Sequence, residues 1–74
     1  MENQNRMISG YRDLDESEVK AINTAKFTSA TVGKLIEELS ASPNVDQRWL
    51  AIAKTDLQKG FMSLTRAIAK PTTF

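Results

Sequence analysis

Only two prolines punctuate this chain, Pro43 and Pro71, and they bound the stretches in which a helix can run uninterrupted. The first helix start is Leu14-Asp15-Glu16-Ser17-Glu18-Val19. Asp15 is placed to accept hydrogen bonds from the free N–H groups of a first turn. Glu18, three residues on, is placed to reach back as in a capping box. Leu14 and Val19 occupy the two positions of a hydrophobic staple, and Glu16 and Glu18 suit the positive end of the helix dipole. From there Val19, Ile22, Ala25, Ser29, Val32, Ile36 and Leu39 recur at three- and four-residue steps, which marks one helical face; Leu35 widens it. The run Phe27-Thr28-Ser29-Ala30-Thr31-Val32-Gly33 holds mediocre helix formers. It reads as helix, with a bend as the alternative.

Ser40-Ala41-Ser42-Pro43-Asn44 ends this helix and begins another. Either Pro43 sits in the first turn after Ser42, or Asn44 is the cap with Gln47 three residues later. The second helix is expected to run to about Lys70, where Pro71 stops it. The expected organisation is one domain over residues 1–74: an arm over 1–9, helices over 15–40 and 44–70, and a tail over 71–74. Each helix of ~25 residues spans roughly 37 Å, and the short connection makes the two antiparallel neighbours. The fold class is therefore all-α, a long antiparallel helical hairpin with a short N-terminal arm.

The second helix carries more apolar surface than one neighbour covers. Val45, Trp49, Ile52 and Ala53 form one stripe; Leu50, Leu57, Phe61, Leu64 and Ile68 form another. An isolated hairpin leaves much of one stripe in water, at ~25 cal/mol per Å² of apolar area. A chain of 74 residues is also marginal alone, and with no cysteine it has no disulfide to staple it. A homo-oligomer with helices from several chains is the expected solution, with Trp49 as a core or interface residue. Gly60, deep in the helix, costs about 1 kcal/mol against alanine, and its expected use is close approach of another backbone.

The residues point away from catalysis. Histidine and cysteine are absent, which removes the commonest nucleophiles, bases and zinc ligands. The carboxylates Asp13, Asp15, Glu16 and Glu18 serve helix capping, and Glu37 and Glu38 a solvated face. No phosphate-binding or dinucleotide-binding glycine loop is present. No enzyme, cofactor or metal site is expected. A formal net charge of +1 argues against a broad surface for a nucleic-acid duplex, and no segment is apolar enough to span a membrane. Cytosolic residence is the expectation.

Binding fits better. Tyr11 offers a π-face for a nucleobase, and Arg12 a planar donor fork for phosphate or a base edge. Lys26 is one of the few charges in the middle of the first helix, close to the hydroxyl of Thr28. An aromatic and a cation on either side of a base make a sequence-tolerant clamp. Taken alone, these residues describe an oligomeric helical binding module.

Three segments together resemble a known family: Gly10-Tyr11-Arg12 with Leu14 and the Glu18-Val19 helix start; Asn23 with Lys26; and DQRWLAIAKTDLQKGFMSLTRAIAKP, residues 46–71. They look like the small phage proteins of the anti-CBASS/anti-Thoeris hairpin-domain class, and more closely like its anti-CBASS cyclic-oligonucleotide sponges. The resemblance covers nearly the whole chain from Gly10 to Phe74. It implies a mostly helical homohexamer without enzymatic activity that acts in the host bacterial cytoplasm. It would sequester the cyclic di- and trinucleotides with which CBASS cyclases trigger abortive infection. Dinucleotides would sit in pockets shared by two protomers, and trinucleotides in separate pockets near a three-fold axis. Carried over by position, Tyr11 and Lys26 match the residues that sandwich the bases, with Gly10, Arg12 and the phosphate-contacting Thr28 beside them. Arg66 matches an arginine at the trinucleotide phosphates, flanked by Thr65. The surroundings of Thr28, FTSATVG, depart from the family's pattern. The alternatives are a sponge for cyclised ADP-ribose signals of the Thoeris kind and a plain protein-interaction module.

Overall fold

The structure is a computed structural model that describes residues 13–74. Two helices, α1 (Glu16–Ser40) and α2 (Gln47–Ala69), form an antiparallel hairpin, and no strand occurs among the described residues. The start of α1 carries the full capping box. The Asp15 carboxylate accepts from the Glu18 N–H at 2.8 Å, and Glu18 Oε1 accepts from the Asp15 N–H at 2.9 Å. Two donors that a helix leaves orphaned are thereby satisfied reciprocally.

The helix continues unbroken through the weak formers at 27–33. Their hydroxyls turn back onto the helix itself. Thr28 Oγ1 donates to the Thr24 carbonyl at 2.9 Å and Thr31 Oγ1 to the Phe27 carbonyl at 3.1 Å. Thr24 and Ser29 do the same toward Lys20 and Lys26. Low intrinsic propensity is overridden here by capping at the start of the helix and by the packing of one face.

That inner face is Glu18, Ile22, Ala25, Ser29, Val32, Ile36 and Leu39, all buried or half-buried. The expected stripe holds except at its first member. Val19 is 44% exposed, and Glu18 takes its place at 9%. With Glu18, the steps alternate four and three throughout, the seam of two helices packed along their length. A carboxylate is tolerated inside because both oxygens are used: Oε1 in the cap, and Oε2 3.3 Å from Lys70 Nζ at the far end of α2. The staple pair Leu14 and Val19 instead lines a shallow groove on the outer face of α1, together with Phe27.

The connection departs from both expectations for the second helix. Its cap is Asp46, not Ser42 or Asn44, and α2 begins at Gln47 rather than at 44. The Asp46 carboxylate accepts from the N–H groups of both Arg48 and Trp49, at 3.0 and 3.1 Å. Gln47 Nε2 reaches back to the carbonyls of Leu39, Ser42 and Val45, stitching the turn to the end of α1. At the other end, Lys70 caps α2 in the left-handed conformation, φ 48, ψ 60.

Two helices enclose little. Ala25 is the one buried hydrophobic among the described residues, whereas Phe27, Met62 and Trp49 are 74%, 72% and 61% exposed. Leu35, Leu57 and Leu64 are exposed as well. Among the described residues, nothing beyond the backbone of its own helix comes within 4 Å of a Cβ built on Gly60, so the α1 backbone is not what that glycine accommodates. None of the described helices is long and apolar enough to cross a membrane.

Candidate functional site

Gly10, Tyr11 and Arg12 lie outside the described residues. In sequence they precede Asp15, the cap of α1. Lys26 and Thr28 stand in the middle of α1, and both are exposed. They do not share a face. Two residues advance an α-helix by about 200°, which leaves the two side chains about 160° apart. The two side chains thus leave the helix in different directions. Neither residue lines the groove beside Leu14 and Val19 or the groove between the two helices. The Thr28 hydroxyl proton is directed at the Thr24 carbonyl.

Thr65 and Arg66 lie near the open end of the hairpin and border its larger groove. This groove runs along one side between the helices, from Gln47 and Ser40 to Ala69 and Pro71. Its floor is apolar, with Val32, Ile36, Leu50 and Phe61, and its rim carries Lys34, Lys54 and Arg66. Thr65 is half-buried. The Arg66 guanidinium is engaged: Nη2 donates to the carbonyls of Thr73 at 2.9 Å and Phe74 at 2.7 Å. Sequence reasoning missed this contact, and it missed the Glu18–Lys70 ion pair. Pro71 signalled the end of α2, but nothing in the sequence showed that Lys70 would turn left-handed and send the tail back. At the opposite end of the hairpin, the Arg48 guanidinium lies over the Trp49 ring, 5.5 Å from its centroid. This cation–π pair covers one face of an otherwise exposed indole.

No cluster of three or more potential metal ligands exists among the described residues. The described residues offer cations, hydroxyls and apolar faces on two long helices.

Comparison with known proteins agrees with this architecture. The family model for the Acb2/Tad1 hairpin domain matches residues 3–69, which takes in both helices. The chain belongs to the Acb2/Tad1 hairpin-domain family. Within it, the chain is similar to Anti-CBASS protein 2 of Pseudomonas phage JBD67. The two are 32% identical over a 105-position alignment that covers 96% of this chain and 97% of that relative. In this hairpin-domain member, the candidate ligand residues Lys26, Thr28 and Arg66 are exposed, and Thr65 is half-buried.

Proposed function

We propose that this protein is a non-enzymatic sponge for cyclic oligonucleotides that blocks CBASS defence in the infected cell. The observation that carries this reading is the near-full-length match to the hairpin-domain family and to a relative named Anti-CBASS protein 2. Tyr11 and Lys26 sandwich the bases of a cyclic dinucleotide such as cyclic GMP–AMP. Gly10 and Arg12 line the same pocket, and Thr28 meets a phosphate. Arg66, with Thr65 beside it, meets the phosphates of a cyclic trinucleotide in a separate pocket.

The geometry of α1 supports a pocket shared between protomers. Lys26 and Thr28 point to nearly opposite sides of one helix, so a ligand that uses both draws them from two chains. A two-fold symmetric dinucleotide between two protomers meets the same groups twice. The exposed Phe27, Met62 and Trp49 support assembly, because a single chain leaves them in water. A homo-oligomer, a hexamer in this reading, covers them and preforms the pockets, which lowers the ordering cost of binding.

Gly60→Ala is expected to weaken assembly although alanine favours the helix by about 1 kcal/mol. Sedimentation velocity across a dilution series measures it. Unchanged assembly with raised helix content would mean that no second backbone approaches Gly60.

The function is tested by calorimetric titration with cyclic GMP–AMP and then with cyclic tri-adenylate, followed by chromatography of the nucleotide released on denaturation. Tight binding, additive between the two ligands, with intact nucleotide recovered, is the expected result. Arg66→Ala is expected to weaken the trinucleotide and spare the dinucleotide. A cleaved nucleotide overturns the non-enzymatic reading. No heat with either ligand overturns the sponge for these messengers. Heat with a cyclised ADP-ribose would then favour the second reading, a Thoeris-type signal.

A further inference from the structure

The chain folds back on itself where α2 ends. Lys70 has φ 48 and ψ 60, a region that disfavours any residue with a Cβ, and its place before Pro71 disfavours the ordinary helical alternative. Such strain persists where the surroundings over-determine it. Two contacts do so here. The Lys70 N–H donates to the Arg66 carbonyl at 2.8 Å, and Lys70 Nζ lies 3.3 Å from the Glu18 carboxylate, itself nearly buried. The chain leaving this turn comes back to Arg66, whose Nη2 donates to the carbonyls of Thr73 and Phe74. One guanidinium nitrogen thus meets two oxygens, supplied by the chain itself. The Phe74 side chain itself is fully exposed.

We infer that the tail after Lys70 forms a displaceable strap: the oxygens of Thr73 and Phe74 occupy Arg66 in the absence of an anion, and a phosphodiester anion must displace them to bind there. The inference rests on the proposed role of Arg66 as a phosphate ligand. A phosphodiester oxygen competes with the Thr73 and Phe74 oxygens for the same guanidinium donor. The strap lowers apparent affinity by the fraction of time that it is closed.

The chain has no cysteine, so a nitroxide label on Phe74→Cys reports on the strap alone. Arg66→Ala in that background is expected to sharpen the electron-paramagnetic-resonance lines, because the tail loses its anchor. With Arg66 present, cyclic tri-adenylate is expected to sharpen them with the same midpoint as the calorimetric titration. Removing residues 73 and 74 is expected to tighten cyclic tri-adenylate binding by roughly threefold to tenfold. Lines unmoved by Arg66→Ala overturn the strap. Arg66-dependent binding that leaves the label immobile, or affinity unchanged by the truncation, overturns the displacement. If cyclic tri-adenylate gives no heat, the sponge reading for trinucleotides falls instead. The strap is then judged with inorganic triphosphate as the anion, where mobilisation supports displacement and an immobile label overturns it.

Discussion

Glu18→Ala is expected to lower the midpoint of thermal unfolding by roughly 8–16 °C, followed by circular dichroism at one fixed protein concentration. The carboxylate does two things at once. It accepts from the Asp15 N–H, closing the capping box, and it pairs with Lys70 across the open end of the hairpin. Alanine leaves a part-buried backbone donor without its acceptor, which costs about 1–3 kcal/mol. The ion pair adds less than ~1 kcal/mol, because the Lys70 side chain is 65% exposed and water screens it. A total of about 2 kcal/mol gives the stated shift for a chain of this size. Glu18→Gln separates the two contributions. Its amide oxygen still accepts from Asp15, so the shift is expected to stay below about 4–8 °C. Equal shifts for both variants would assign the effect to the charge instead of the cap.

The second large effect is on binding. Tyr11→Ala is expected to weaken cyclic GMP–AMP by roughly fivefold to 150-fold, the range for loss of base–aromatic stacking. Titration calorimetry measures it, with sedimentation as a check that assembly is unchanged. The upper part of the range is expected, because a two-fold pocket loses a platform at each base when every protomer carries the substitution. Unchanged affinity would remove Tyr11 from the proposed site.

The hairpin was legible because its signals are local. Asp15 with Glu18 spells a capping box, and the apolar steps from Ile22 to Leu39 fix a single face through a stretch of poor helix formers. Errors fell where two signals compete for one position. Val19 is apolar and adjacent to the seam, so it looked like the first core residue. Glu18 takes that place because its two oxygens find partners, one of which is 52 positions away in sequence, at Lys70. Ser42, Asn44 and Asp46 are all competent caps. The one that wins is the one whose carboxylate serves two N–H groups while Gln47 ties up the loop carbonyls.

The candidate site was legible as residue types and not as an arrangement. Lys26 and Thr28 are neighbours in sequence yet face apart on α1, which only helical geometry reveals. The tail's return to Arg66 depends on a left-handed lysine that no propensity favours.

The hydroxyls along the middle of α1 bear on how this surface responds to a visitor. Within the helix the Thr24 carbonyl has two lone pairs and a backbone donor four residues on, so the Thr28 hydroxyl is a second guest at that oxygen. When Thr28 rotates away to meet an incoming acceptor, the carbonyl keeps its helical bond and no buried group is orphaned. The swap is close to isoenergetic, and Thr24 and Thr31 are held in the same way. Donors parked like this add little to the strength of binding. They let one rigid helix meet acceptor oxygens at slightly different positions.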